Sequence, residues 1–172
     1  MGAGDDPYRH LFPSADRYVR VDVERRPGMT DVVADARALP FRDGAFECAL
    51  ATEVLEYLPD PKLFASELHR VLLRPGRAVI TVPFVFHDHQ DYWRPTRRAL
   101  ADLFREYSAV DVYAQGNRIH TIFDLLTTAF SPLPLLVPFR VLSNLLFLVP
   151  GGATLRNSRS SAPSGFLVVA SK

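Results

Sequence analysis

The stretch FECALATEVLEYLPDPKLFASELHRVLLRPGRAVITVPF, residues 46–84, decides the fold. Its opening, residues 46–52, carries a nearly continuous apolar run through Cys48, Ala49 and Leu50, which predicts a buried strand with Cys48 acting as a small apolar residue. Asp60-Pro61 then reads as a helix start, with aspartate at the N-cap and proline at the first helical position. Phe64, Leu68, Val71 and Leu72 follow at i, i+4, i+7 and i+8 and form one apolar face, and Pro75-Gly76 is expected to stop the helix. Residues 78–84 form an unbroken, β-branched run of the kind found in strands covered on both faces. Strand, helix and strand in this order argue an α/β sheet.

The same alternation extends outward. Residues 18–23 read as a short strand ending near Asp22, and residues 31–35 as a second ending in Asp35. A second helix fits residues 97–107, with Leu100, Leu103, Phe104 and Tyr107 on one stripe. Residues 109–114 and 166–170 read as the last two strands. The expected architecture is one domain, residues 1–172: an α/β, doubly wound, mostly parallel Rossmann-like sheet with an antiparallel last strand.

Composition narrows the function classes. The chain has 172 residues, 48% hydrophobic, with 20 basic against 19 acidic side chains and a formal net charge of +1. A nucleic-acid binder would show a basic excess or stripe, so no nucleic-acid partner is expected. This apolar content argues against disorder. The single cysteine excludes an internal disulfide framework and a cysteine-based zinc knuckle. The polar start of the chain lacks the apolar core of a signal peptide, which predicts a cytoplasmic location.

Polar residues recur where strands end. In open α/β sheets ligands bind beyond the carboxyl ends of the strands, and Asp22, Asp35, Thr52-Glu53 and Pro83-Phe84 all fall there. A carboxylate at the end of the strand that closes on Asp22 suits a ribose diol, because two acceptor oxygens can take two hydroxyl hydrogens. The plainer alternative is that Asp22 and Asp35 cap turns. Gly2-Ala3-Gly4 precedes Asp22 by 18 residues, the spacing of a nucleotide-binding glycine turn and its acid.

Several of these segments together resemble class I S-adenosylmethionine-dependent methyltransferases of the type 11 branch. Gly2-Ala3-Gly4-Asp5-Asp6-Pro7-Tyr8 is similar to the end of that family's first glycine motif, and residues 18–23 to its second strand with the ribose-binding acid. VADARALPF, residues 33–41, resembles its third-strand motif; FECALATEVLEYL, residues 46–58, its fourth strand and the short helix after it; RVLLRPG, residues 70–76, its approach to the fifth strand. The resemblance implies S-adenosyl-L-methionine as cofactor, contacted by Gly2, Gly4, Asp22, Asp35 (at the adenine amino group) and Ala36, with Glu53 near the methyl-bearing end. It also implies a central first strand ahead of Gly2, which the expected fold therefore lacks. Arg77 stands where the family has a second glycine. Residues 24–30 are too few for a crossover helix and must form a tight loop.

Two further segments carry candidate chemistry. His87, His89 and Asp91 lie in HDHQDYWR, residues 87–94. They are read as a metal-ligand set, as candidate catalytic bases or acceptor contacts, or as a surface loop fixed by Tyr92, Trp93 and Arg94. No resident metal is expected, since no fourth ligand is in view. Residues 119–149 hold only Asp124 and Arg140 as charges and are broken by prolines, which predicts a hydrophobic helical insertion before the last strand. It is read as a lid over the cofactor pocket, or as a hairpin docking on a membrane surface or a protein partner; a membrane span is the third reading.

The function expected is methyl transfer from S-adenosyl-L-methionine to a small-molecule or lipid-like acceptor. A non-catalytic methyltransferase-like binding module and a nicotinamide-dependent dehydrogenase are the alternatives. The dehydrogenase lacks its third glycine, because position 7 is Pro7.

Overall fold

A computed structural model of the protein describes residues 1–85, 90–116, 118, 121, 122, 125 and 162–172. Two sheets result. β1 (Val21–Asp22) pairs in parallel with β2 (Val32–Val33), Val21 opposite Val32 and Asp22 opposite Val33. β3 (Phe46–Thr52), β4 (Leu72–Pro83), β5 (Ala109–Gln115) and β6 (Gly165–Ser171) form the second sheet in the order β3-β4-β6-β5. β3 and β4 are parallel, whereas β6 runs antiparallel to both of its neighbours. This is the α/β fold expected, with an antiparallel last strand.

α1 (Pro61–Val71) begins as its sequence dictates: the Asp60 carboxylate accepts the backbone N–H groups of Lys62 and Leu63. It ends four residues before Pro75. The carbonyls of Arg70 and Val71 are taken by the amides of Gly44 and Ala45 at 3.0 and 2.7 Å, so orphan carbonyls of the last turn are satisfied from outside the helix. The chain enters β4 directly at Leu72, paired with Phe46, and the register shifts before Arg77 meets Cys48. Pro75 and Gly76 therefore sit inside an irregular strand start.

α2 (Arg97–Leu103) is capped by Thr96, whose hydroxyl accepts the Ala99 amide. It is shorter than its apolar stripe, yet Phe104 and Tyr107 beyond it are buried with Leu100. Phe64, Leu68, Leu100 and Phe104 pack on Ala78, Ile80 and Val82 of β4 and on Phe166, Val168 and Ala170 of β6. Val79, Thr81, Leu167 and Val169, on the opposite face, are only half-buried. The expectation that residues 78–84 are covered equally on both faces is thus corrected: the strand alternates. Cys48 is exposed, not buried as expected, because β3 is an edge of its sheet.

No strand stands between β1 and β3 among the described residues. Residues 1–4 run through that place. The Met1 amino group donates to the Leu50 carbonyl of β3 at 2.7 Å, and the Ala3 amide donates to the Val21 carbonyl of β1 at 3.2 Å. Met1 also packs against both hydrophobic clusters, the large one and a smaller one of Val21, Leu39 and Val71. The loop from β1 to β2 is tight, as expected, closed by Met29 and Thr30 amides on the Arg26 carbonyl.

Of the insertion expected over residues 119–149, Thr121, Ile122 and Leu125 are described, all helical. Thr121 is buried and its hydroxyl donates to the Ala162 carbonyl at 2.8 Å, tying it to the start of β6. The rest of that segment lies outside the described residues, as do its readings as lid or docking hairpin.

Candidate functional site

Parallel pairing of β1 with β2 and of β3 with β4 brings the ends of these strands, and the glycine turn, to one edge. Gly2 and Gly4 both have positive φ, 62° and 50°, where glycine alone is free of a Cβ penalty. A Cβ at Gly2 would stand 2.3 Å from Val54 Cγ2, so the glycine turn lies directly against the segment leaving β3. The Gly4 amide donates to Asp22 Oδ2 at 3.2 Å, and the Glu24 amide to Asp22 Oδ1 at 3.1 Å. An ionised carboxylate has about four acceptor positions, so Asp22 is fixed by the backbone and still has capacity for a ligand's donors.

Asp35 is placed at the end of β2 but is more heavily engaged. Its carboxylate accepts the Arg37 amide at 2.8 Å and the Arg37 guanidinium at 2.6 to 3.1 Å. Those bonds hold its carboxyl below the usual carboxylate range. Ala36, next to it, packs on the large core.

Glu53 sits one residue past β3 with φ of 53°, an uncommon conformation for a non-glycine residue and one that clusters at functional sites. Its amide donates to the Thr81 carbonyl at 3.1 Å and its Oε1 accepts the Thr81 hydroxyl at 2.9 Å. The structure thus sets Gly2 against Thr52 and Val54, on either side of Glu53, and ties Gly4 to Asp22, with Asp35 just beyond β2.

His87 and His89 lie outside the described residues. Asp91 is described: its side chain is 6% exposed and is clasped by the Arg94 guanidinium, with Nη2 on Oδ1 at 3.1 Å and Nε on Oδ2. The Tyr92 amide donates to the Glu56 carbonyl at 2.8 Å, and Trp93 Nε1 to the Leu55 carbonyl at 3.0 Å. The loop before α2 is therefore docked on the 3-10 turn Leu55–Tyr57 that follows Glu53. Among the described residues no three His, Cys, Asp or Glu side chains are grouped to hold a metal ion, and no helix is long and apolar enough to cross a membrane.

One residue escaped the sequence reading. Glu56, in that 3-10 turn, is 2% exposed, and its Oε2 is buried without a hydrogen-bond partner among the described residues. Burial pushes its carboxyl up to about 7; a hydrogen bond from its own backbone amide opposes this, the charges of Glu53 and Asp91 add to it, and Arg94 opposes it. The signal available was a lone carboxylate between Leu55 and Tyr57, shortly after the end of β3.

Residues 10–80 match the family model of a methyltransferase domain, of the type 11 branch. The fold is similar to that of a SAM-dependent methyltransferase from Archaeoglobus fulgidus, with a TM-score of 0.60 at 14% identity over 99% of this chain and 83% of that one. It is also similar to 1,6-didemethyltoxoflavin-N1-methyltransferase from Burkholderia thailandensis, solved with S-adenosylhomocysteine, with a TM-score of 0.58 at 17% identity over 100% of this chain and 68% of that one. Among curated sequences, the 2-methyl-6-phytyl-1,4-hydroquinone methyltransferase of Synechocystis is 30% identical over 49% of this chain and 28% of its own length. An uncharacterized protein of Methanocaldococcus jannaschii is 33% identical over 35% of this chain and 29% of its own length. The chain spans less than a third of these curated relatives. Residues 10–80 thus match a methyltransferase domain model, and the fold is similar to that of SAM-dependent methyltransferases.

Proposed function

We propose that this chain binds S-adenosyl-L-methionine at the edge formed by Gly2, Gly4, Asp22, Asp35, Ala36 and Glu53, and transfers its methyl group to a small-molecule or lipid-like acceptor. The observation that carries this reading is Asp22, fixed by two backbone amides at the end of β1 beside a glycine turn with no room for a side chain at Gly2. The residues present fit such a cofactor: a pinned carboxylate for a ribose diol, a close backbone approach, and an acidic residue at the end of β3. The name of the Synechocystis relative, which specifies a prenylated hydroquinone, supports an acceptor with an apolar tail.

When bound, the cofactor supplies a methyl group already activated by its sulfonium charge. What remains for the protein is alignment and exclusion of water. Asp22 and the Gly2–Gly4 backbone would fix the nucleoside. Glu53, held by Thr81, would line the reacting end. Asp91 is assigned a different part from the catalytic base expected of it: clasped by Arg94, it holds the loop before α2 against the turn at residues 55–57 and so shapes the acceptor side. His87 and His89 remain candidate acceptor contacts.

Charge-assisted hydrogen bonds contribute about 1.5–3 kcal/mol each. Asp22→Ala is therefore expected to weaken S-adenosylmethionine binding by roughly tenfold to a hundredfold in calorimetry, with the melt of the protein retained. Unchanged affinity in the folded variant would remove Asp22 from the site.

A further inference from the structure

The glycine turn is gripped by alternate residues of the segment that enters β1. Its backbone is closed by the Asp6 amide on the Ala3 carbonyl at 2.7 Å and joined to β1 by the Ala3 amide on the Val21 carbonyl at 3.2 Å. Three side chains add to this. Asp22 accepts the Gly4 amide at 3.2 Å, the Tyr18 hydroxyl donates to Asp6 Oδ1 at 2.9 Å, and the Arg20 guanidinium stands 4.0 Å from Asp6 Oδ2. Residues 18, 20 and 22 have the spacing of one face of a strand, and all of them meet the turn. Tyr18 is itself fixed, with the Arg9 guanidinium 4.7 Å over its ring and the Phe12 ring 5.9 Å away. Arg20 is fixed by Asp31. Asp6 has φ of 52°, and its side chain is 13% exposed; the next-door Asp5 is 83% exposed and meets Arg26 at 3.5 Å. Glycine has more conformational freedom to lose than any other residue, so a turn built on Gly2 and Gly4 keeps one shape only if it is held from outside.

We propose that Asp6 is a positioning residue for the cofactor: gripped by Tyr18 and Arg20, it latches the glycine turn to β1 and keeps the Gly4 backbone and the Asp22 carboxylate in the arrangement that receives the nucleoside. The inference rests on the proposed cofactor reading and deepens it. Asp6 is assigned no contact with the reacting atoms. It acts through Gly4 and Asp22 by keeping the binding-competent arrangement populated, and affinity falls in proportion when that population falls. The latch serves the part of the ligand that S-adenosylmethionine and S-adenosylhomocysteine share, so both feel its loss equally.

The test is calorimetric binding of both ligands to the wild-type protein and to variants of it, with each denaturant midpoint measured alongside. Tyr18→Phe keeps the ring against Arg9 and Phe12 and removes the hydroxyl alone; it is expected to weaken both ligands by about fivefold, the weight of one net hydrogen bond. Asp6→Gly takes the positive φ without penalty and removes the carboxylate. It is expected to weaken both by about tenfold, with Tyr18→Phe adding nothing further in the double variant. Asp6→Asn tolerates the same backbone conformation and keeps an oxygen for the hydroxyl, so it should recover most of the loss. Asp5→Ala, which removes the same charge one residue away, should stay within about twofold of wild type. The midpoints should hold, and in Tyr18→Phe the Gly4 amide should exchange faster while the amides of β4 keep their protection. Unchanged affinity in Tyr18→Phe, a weakening for S-adenosylmethionine alone, a lowered midpoint with affinity kept, or a loss in Asp5→Ala equal to that in Asp6→Gly overturns the latch and leaves the cofactor reading intact. Failure of both ligands to bind the wild-type protein overturns the cofactor reading itself, and the inference with it.

Discussion

The four-stranded sheet and the two-stranded sheet of this molecule are held by different forces. In the first, β3 and β5 are seven residues long and β4 twelve, and alternate side chains of β4 and β6 are buried under α1 and α2. Burial of apolar area, at about 25 cal/mol per Å², sets their register. In the second, each strand has two residues, and side chains replace the missing ladder. Asp31 accepts the Arg20 amide at 2.8 Å and its guanidinium at 2.8 and 3.1 Å, Arg20 reaches the Gly28 carbonyl at 2.6 Å, and Asp22 holds Gly4 and Glu24. The proposed ligand edge lies where the two meet. One side of it is fixed by core packing, the other by carboxylates on backbone amides.

The largest effect should come from the core. Phe64 is fully buried, and Phe64→Ala is expected to cost about 3–5 kcal/mol, read as a fall in the denaturant midpoint. A loss under 1 kcal/mol would contradict the claim that burial holds the larger sheet.

A smaller effect is expected at the joint between the halves. The Arg70 guanidinium contacts the Leu39 and Phe41 carbonyls at 3.0 and 2.7 Å, the Glu67 carboxylate at 2.7 and 2.8 Å, and Asp43 at 2.8 Å. Glu67 in turn accepts the Leu39 amide at 2.8 Å. This network secures residues 39–43, which lead from β2 to β3. Arg70→Met should cost about 2–3 kcal/mol, since hydrogen bonds to charged groups are worth about 1.5–3 kcal/mol each and the apolar stem is kept. Hydrogen exchange should accelerate first at Leu39 and Gly44; acceleration starting in β4 or β6 would contradict this division.

The smallest effect is pH-dependent and confined to the two-stranded half. The Arg20 guanidinium and amide hold the Asp31 carboxyl down to about 2, below its ordinary 3.8. A folded-state value below the unfolded one stabilises the protein above pH 3.8, and the contribution is lost as pH falls toward 2. The pair is partly exposed, so the contribution is about 1 kcal/mol or less. The Asp31 and Val32 amides, both bonded to the Arg20 carbonyl, should lose protection in that window before the amides of β4 do. Simultaneous loss would mean that the halves are not separable.

This contrast also explains what the sequence reveals. β3, α1, β5 and β6 are readable because their apolar periods are long and their caps local: Asp60-Pro61 marks the start of α1 without reference to anything distant. β1 and β2 read too long, since the β-formers at residues 18–23 do not disclose that Arg20 turns to Asp31 instead of continuing a ladder. The placement of Asp22, Asp35 and Glu53 where strands end was legible from position alone. Glu56 was not, because its neighbours Asp91 and Arg94 come from a loop 35 and 38 residues away in the sequence, and burial of an acid between Leu55 and Tyr57 depends on that loop docking.

The central claim is that one ligand bridges the two halves. Titration of the labelled protein with S-adenosylhomocysteine, and in parallel with NAD, followed by amide NMR, tests it most directly. The expected result is saturating shifts with S-adenosylhomocysteine at Gly4 and Glu24 on one side and at Glu53 and Leu55 on the other, with one common dissociation constant, and no comparable shifts with NAD. Shifts confined to one half, or NAD binding at the same amides with equal affinity, would contradict it.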